Sequence, residues 1–531
     1  MTIAPVEHVD VDVAVVGSGF GGALTAQSLR ALGRSVALLE RGRHPRFAIG
    51  ESSTPLANLL LEELADRYTL PHLRPLSKWG TWQRAYPGIG CGLKRGFTFY
   101  QHGFDASFDD DHTHDRQLLV AASPRDEVAD THWYRPDIDQ LLVEQAIEAG
   151  AIYVDELALD APEIGNGCQR LRGERHGRAV RVTSRFLVDA SGPRGYLHRM
   201  LHLPERPHQW LPHTHGLYAH FTGVTRWDAL HQETETPPYP VDDAAVHHVF
   251  DGGWIWVLRF ANGITSAGAA VTGTLARDLR LADGAAGWER LLARLPSVRE
   301  CFAGARPVTA FVHGFPLAFR SGRVHGPGWA LLPSAAGVVD PLLSAGFPLT
   351  LLGIGRLVEQ VHRSLDGASD DGGMARYAAQ TDRELDATEH LVGALYASMG
   401  DFALFKRLTL LYFAAASFSE TVRRLGRGEQ AGSFLLCDHP AFGPGLRACA
   451  DAALAHPTGA TREELLQDIE TAIGPFDVAG LRDRSRRDWY PMLVEDLLRA
   501  APSLGTSDDE LLALVARCGL APPEPTAGFA R

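Results

Sequence analysis

The first forty residues constrain this chain more than any other stretch, because they read as strand, glycine turn, helix and second strand. Val11, Val13, Ala14, Val15 and Val16 form an apolar strand run, and Gly17-Ser18-Gly19-Phe20-Gly21-Gly22 follows as a turn. Ala23 to Leu32 has helical composition, Gly33 stops it, and Val36-Ala37-Leu38-Leu39 makes the next strand. Gly17, Gly19 and Gly22 satisfy GxGxxG, a pattern that 54 glycines in 531 residues produce by chance roughly half the time. Its place between a strand and a helix gives it meaning. There, backbone N–H groups and a helix N-terminus face a pyrophosphate with no Cβ in the way. Glu40 ends the second strand 23 residues after Gly17, where a carboxylate meets ribose hydroxyls. Phe20 in the turn and Arg41 after the acidic residue complete this candidate dinucleotide segment.

Two later junctions repeat the pattern. Arg185-Phe186-Leu187-Val188 runs into Asp189-Ala190-Ser191-Gly192, and Trp329-Ala330-Leu331-Leu332 into Pro333-Ser334. Three such junctions spread over roughly 300 residues predict one nucleotide domain built from discontinuous segments, 1–205 and 305–375. Between them, His213 to Ala270 is rich in aromatic and β-branched residues with hairpin signals, which predicts an inserted antiparallel sheet serving the substrate, residues 206–304. From about Ala375 helical patterning dominates, so 376–531 is expected to be a mainly helical region with a loose tail from Pro522. The fold class expected is α/β, a discontinuous Rossmann-like domain with an inserted antiparallel sheet and a C-terminal helical region.

Lys+Arg 51 against Asp+Glu 64 gives a net charge of −13, which argues against a nucleic-acid binder. Six cysteines, none in a close pair, exclude a disulfide framework and a thiolate zinc site. The histidines 208, 213, 215 and 220 and the run from Asp109 to Asp115 lack ligand spacing, so no metal is expected. The N-terminus lacks the apolar core of a signal peptide, and no uninterrupted apolar run reaches the ~18 residues of a membrane span. A cytoplasmic location is the expectation. Neither a GxSxG elbow nor an HExxH segment points to a hydrolase.

Four further segments carry a resemblance. Gly50-Glu51-Ser52-Ser53-Thr54-Pro55, Lys78 at 27 residues after Glu51, Gly253-Trp254-Ile255-Trp256 and Asp340-Pro341-Leu342-Leu343-Ser344-Ala345-Gly346 occur in the order found in flavin-dependent halogenases, a branch of the flavin monooxygenase fold. The chain resembles that family from about Val11 to Gly346. The resemblance implies FAD, reduced by a separate flavin reductase, with Glu51, Ser52, Asp189, Ser334, Pro341 and Gly346 among its contacts. It implies chloride or bromide at Ser344, Ala345 and Gly346, and a wall between flavin and substrate at Trp254 and Trp256. Hypohalous acid would pass to Lys78, which hydrogen-bonds it or forms a haloamine and delivers the halogen to an electron-rich ring. Leu343 stands where tryptophan-specific members carry Glu, which points to a phenol- or pyrrole-like substrate, free or tethered to a carrier protein.

Lysine chemistry needs desolvation. Leu76, Trp79 and Trp82 surround Lys78 in sequence, although a snorkelling lysine over tryptophans fits the same residues. Lys94, beside Arg95 in a glycine-rich turn, reads more as one of a solvated pair. Two departures from the family pattern stand out: Leu258-Arg259 replaces Ile-Pro, making Arg259 a candidate tunnel residue, and Pro333-Ser334 replaces an Asp-containing turn. They support an alternative, an FAD-dependent monooxygenase or dehydrogenase acting on a lipophilic substrate without halide. A non-catalytic binding module leaves Lys78 and the Ser344 loop unexplained.

Overall fold

The computed structural model describes residues 7–109, 113–165, 167–231, 235–367 and 372–520. Part of the Asp109–Asp115 run and the tail from Pro522 lie outside the described residues. The strand Glu7–Val16 lies between Val36–Leu39 and Arg178–Asp189 in parallel, and Arg178–Asp189 pairs in turn with Trp329–Leu331. Both faces of this sheet are covered, which is why its strands end in unbroken apolar runs. The register aligns Val16 with Leu39 and Asp189, and Asp189 with Leu331. The three junctions therefore open side by side, at the carboxyl ends of parallel strands, where ligands of such sheets bind.

The second sheet runs through Thr214–Thr222, Thr265–Thr272, Gly253–Arg259 and Ala245–Phe250 as antiparallel neighbours. It reaches beyond the expected 206–304 interval. Gly96–Gln101 joins Ala245–Phe250 in parallel, Gln117–Ala121 adds to it, and Trp489–Tyr490 closes that edge. A parallel pair needs a long crossover, so the partner of Ala245–Phe250 comes from far up the chain.

Helices Gly373–Ala397, Phe402–Arg424, Phe442–Leu454 and Gly459–Ile473 dominate the C-terminal region. Phe402–Arg424 is long and apolar enough to cross a membrane by length and composition, but 78% of its apolar window is buried inside the protein. Its Lys406 is buried too, paired with Asp488 at 2.5 Å. On the side toward the second sheet, Phe413 packs edge-on against Phe97 at 5.1 Å and Phe405 against Phe99 at 6.0 Å.

Candidate active site

A cavity of about 920 Å³ runs from the three junctions to the inner face of the second sheet. The glycine turn forms its floor. Gly17 has φ +98°, and a Cβ there would sit 2.6 Å from Ser191 Cα, while a Cβ on Gly22 would sit 1.9 Å from the Gly17 carbonyl oxygen. Only glycines let the helix Phe20–Ala31 start this close to the strand ends. The N-terminus of that helix has no side-chain cap and no acidic residue in its first turn, so its N–H groups are free for an anion.

Glu40 stands at the cavity edge and accepts hydrogen bonds from the Ser18 amide at 3.0 Å, the Ser18 hydroxyl at 2.9 Å and the Gly42 amide at 2.8 Å. Burial alone would raise its carboxyl, but the Arg46 charge and these donors together hold it below the usual range. Arg41, Glu51, Ser52, Ser334, Pro341 and Gly346 also line the cavity. Glu51 is buried and accepts from His220 Nε2 at 2.7 Å. Ser52 Oγ is buried with no hydrogen-bond partner among the described residues, an arrangement that suits a polar ligand in the cavity. On the same cavity, Ser344 takes φ +52° in the loop that leads into the 20-residue helix Gly346–Leu365, whose N-cap Ala345 offers no side-chain bond. Ser344, Ala345 and Gly346 thus present a second uncapped helix start to the same space.

Sequence reasoning missed Arg135. It lines the cavity, clamps Asp139 at 2.8 and 2.7 Å, and donates to the Ile49 and Gly50 carbonyls at 2.8 and 3.0 Å. Its guanidinium also lies 5.0 Å from the Phe20 ring. The i,i+4 spacing of Arg135 and Asp139, with Pro136 in the first turn of the same helix, was the available signal. Asp340 opens the loop that carries Ser344. It accepts from the Tyr396 hydroxyl at 2.9 Å and the Leu342 amide at 2.9 Å, and burial pushes its carboxyl up to about 7 against those bonds.

Three expected site residues sit elsewhere. Asp189 does not line the cavity: it turns inward to accept from the Leu197 amide at 2.6 Å, the Ser191 amide at 2.8 Å and the Ser191 hydroxyl. Ser191 and Gly192 take its place on the wall. Arg259 also misses the cavity. Side chains alternate along Gly253–Arg259, so Trp254, Trp256 and Leu258 face inward, while Arg259 points the other way to Asp242 at 2.9 Å and the carbonyls of Val224 and Thr225. Lys78 lies off the cavity and half-buried, its ammonium donating to the Cys518 carbonyl at 3.0 Å.

The chain has only three lysines, at 78, 94 and 406. Lys94, expected in solvent, is fully buried. It donates to the Ser53 carbonyl at 2.6 Å and stands 3.7 Å from the centre of the Phe97 ring. Ser53 adjoins the cavity-lining Ser52, and the cavity-lining His247 stacks on Phe99 at 4.4 Å and on Phe97 at 5.9 Å. Lys94 therefore sits one residue layer behind the cavity wall. Burial lowers its ammonium well below the ordinary lysine value, with the Asp130 charge opposing. Sequence failed here because the pairing of Cys91–Lys94 with Asp130–Trp133 is what takes this lysine out of water.

Residues 15–57 match a family model described as an NAD(P)-binding Rossmann-like domain. Over 402 residues the chain is 29% identical to monodechloroaminopyrrolnitrin halogenase PrnC of Pseudomonas fluorescens, covering 74% of this chain and 69% of the relative. It is 28% identical over 422 residues to tetracycline 7-halogenase of Kitasatospora aureofaciens, covering 76% and 73%. The solved halogenase PltM in complex with phloroglucinol and FAD superposes with a TM-score of 0.80 over 90% of this chain and 99% of that one, at 24% identity, a likeness of fold.

Proposed function

Starting from a chain that shares its descent and its fold with the flavin-dependent halogenases, we propose that it places chloride or bromide on an electron-rich phenolic or pyrrole-like ring, free or carrier-tethered, with Lys94 delivering the halogen. FAD, reduced by a separate flavin reductase, supplies with O2 the oxidation of halide to hypohalous acid. The turn at Gly17 to Gly22 and the uncapped helix behind it would hold the pyrophosphate, and Glu40 the ribose. Amides at Ala345 and Gly346 would hold the halide, since the net negative charge of the chain cannot attract it.

The observation that carries this proposal is Lys94. A solvated ammonium neither adds to a halogen nor holds one in place, whereas a buried amine with a lowered proton affinity does both. The wall of Ser52, His247 and Trp254 separates it from the cofactor cavity, so oxidant is made on one side and used on the other. Leu343 is buried and apolar, so no carboxylate stands at that point to recognise an amino-acid side chain.

The test supplies FAD, a flavin reductase, O2 and a panel of phenols and pyrroles, with and without chloride or bromide. Halide-dependent product is expected from wild type and from Lys78→Ala. Lys94→Ala is expected to lose about 10²-fold or more in rate. Oxygenated product with no halogenated product in any reaction would sink the proposal, and Lys78→Ala failing while Lys94→Ala works would return the role to Lys78.

A further inference from the structure

Lys94 has one carboxylate across its ladder, with no hydrogen bond or ion pair joining the two among the described residues. The ladder between Cys91–Lys94 and Asp130–Trp133 sets Lys94 opposite Asp130. Asp130 is buried, Asn58 Nδ2 donates to its Oδ1 at 2.7 Å, and its Oδ2 is buried with no hydrogen-bond partner among the described residues. A buried carboxylate oxygen without a donor is costly, and one that either carries a proton or meets a cation escapes that cost. Burial raises Asp130 and lowers Lys94, and the charge of each opposes the shift of the other. The remaining groups that bear on the pair are Lys78, His132 on the same ladder, His247 on the neighbouring sheet, and Glu420 and Tyr412 on the helix Phe402–Arg424. His132 and His247 are held neutral by burial, each down to about 3, so neither competes for the proton near neutral pH.

We infer that Asp130 is the positioning residue of Lys94: the two side chains close on each other across the ladder, and Oδ2 takes up the proton that frees the amine and returns it when the halogen leaves. The inference rests on Lys94 as the halogen carrier. The ammonium gives one proton to Asp130 and becomes an amine. Its nitrogen bonds to the halogen of hypohalous acid as the O–halogen bond breaks, and the departing hydroxide takes an N–H proton to become water. In transfer, the C–halogen bond forms as the N–halogen bond breaks, and the Asp130 proton returns to nitrogen. The proton then lost by the ring restores the carboxyl, so the sum is ring C–H plus hypohalous acid giving ring C–halogen plus water. Leu343 leaves no carboxylate on the Asp340–Gly346 loop nearer than Asp340, and that one is already engaged by Tyr396 and Leu342.

Three lysines make the test direct. Protein labelled with 13C at lysine Cε gives three resonances, and Lys94→Met identifies one by its loss. Asp130→Asn keeps the shape and the Asn58 contact but removes the charge. It is expected to lower the titration midpoint of Lys94 by about one pH unit or more, to move the pH profile of halogenation with it, and to cut the rate near neutral pH about 10²-fold. Asn58→Ala, which removes the donor to Asp130 Oδ1 and leaves both Lys94 and Asp130 in the chain, moves the midpoint the same way by less and serves if Asp130→Asn does not fold. An unmoved midpoint in both variants overturns the inference while Lys94→Ala remains inactive. Halogenation surviving in Lys94→Ala removes the lysine assignment, and the inference with it.

Discussion

Asp189 discriminates between a residue that touches the cofactor and one that builds the loop touching it. Truncation by Asp189→Ala removes the acceptor for two backbone amides, Ser191 and Leu197, and for the Ser191 hydroxyl, which itself accepts from the Tyr196 amide at 2.7 Å. Hydrogen bonds to a charged acceptor contribute about 1.5–3 kcal/mol each; with the Leu197 amide buried but Ser191 open to water, the three lost bonds cost about 3–5 kcal/mol together. Burial raises the Asp189 carboxyl despite these bonds, so part of that cost is offset when the buried acid is removed. The expected net loss is about 2–4 kcal/mol in cofactor-free protein, read as a lower urea midpoint. Asp189→Asn keeps an acceptor for Ser191 but sets an NH2 group against the Leu197 amide, and is expected to lose about half as much. FAD affinity, measured by fluorescence titration, falls in both because the wall at Ser191 and Gly192 loosens. If cofactor-free Asp189→Ala is within about 0.5 kcal/mol of wild type while FAD affinity collapses, the carboxylate contacts the cofactor and the scaffold argument is refuted.

Gly22→Ala forces a Cβ to 1.9 Å from the Gly17 carbonyl oxygen, so helix and turn must part; a loss of about 1–3 kcal/mol and at least tenfold weaker FAD binding are expected, and unchanged binding would count against the turn as the pyrophosphate cradle. Ser344→Gly relieves a left-handed serine at φ +52° and is expected to stabilise the protein by about 1 kcal/mol in urea denaturation, and a destabilised variant would show that the hydroxyl holds the loop in shape. Asp340, whose carboxyl rises in the folded protein to about 7, contributes stability that is full below its unfolded value and lost as pH rises through 7. Asp340→Asn should therefore flatten the fall in stability between about pH 4 and 7, and an unchanged slope would show that the carboxyl is not perturbed in this way.

The parallel sheet was legible because three of its strands, Glu7–Val16, Arg178–Asp189 and Trp329–Leu331, are apolar toward their ends and run into small-residue turns, a signal contained within ten residues. Register then did the rest, bringing Val16, Asp189 and Leu331 into one row across more than half the chain. Arg259 shows where legibility was available and unused: with Trp254 and Trp256 on one face, period-two alternation already sends residue 259 to the other. Asp189 is different, since a strand-end carboxylate reads the same whether it turns out to a ribose or back to its own loop. Lys78 and Lys94 differ in the same way. Local sequence wraps Lys78 in tryptophans and leaves Lys94 in a glycine turn, yet burial follows the second sheet and the helices laid over it.

That last contrast explains why no motif could have located the lysine. The surroundings of Lys94 come from the Ser53 carbonyl, Phe97 on the next strand, Asp130 across its ladder, and His247 stacked on Phe97 and Phe99. The helix Phe402–Arg424 closes the far side with Phe405 and Phe413 against those same rings. Each segment has an independent reason to be apolar, and only their convergence desolvates the amine. The C-terminal helices, which as sequence offer nothing beyond amphipathic patterning, are thus what makes Lys94 chemically distinct from Lys78. A substitution that opens this cover, such as Phe413→Ala, should raise the Lys94 titration midpoint by admitting water and weaken halogenation without altering FAD binding. An unmoved midpoint would mean that the sheet alone keeps the amine dry.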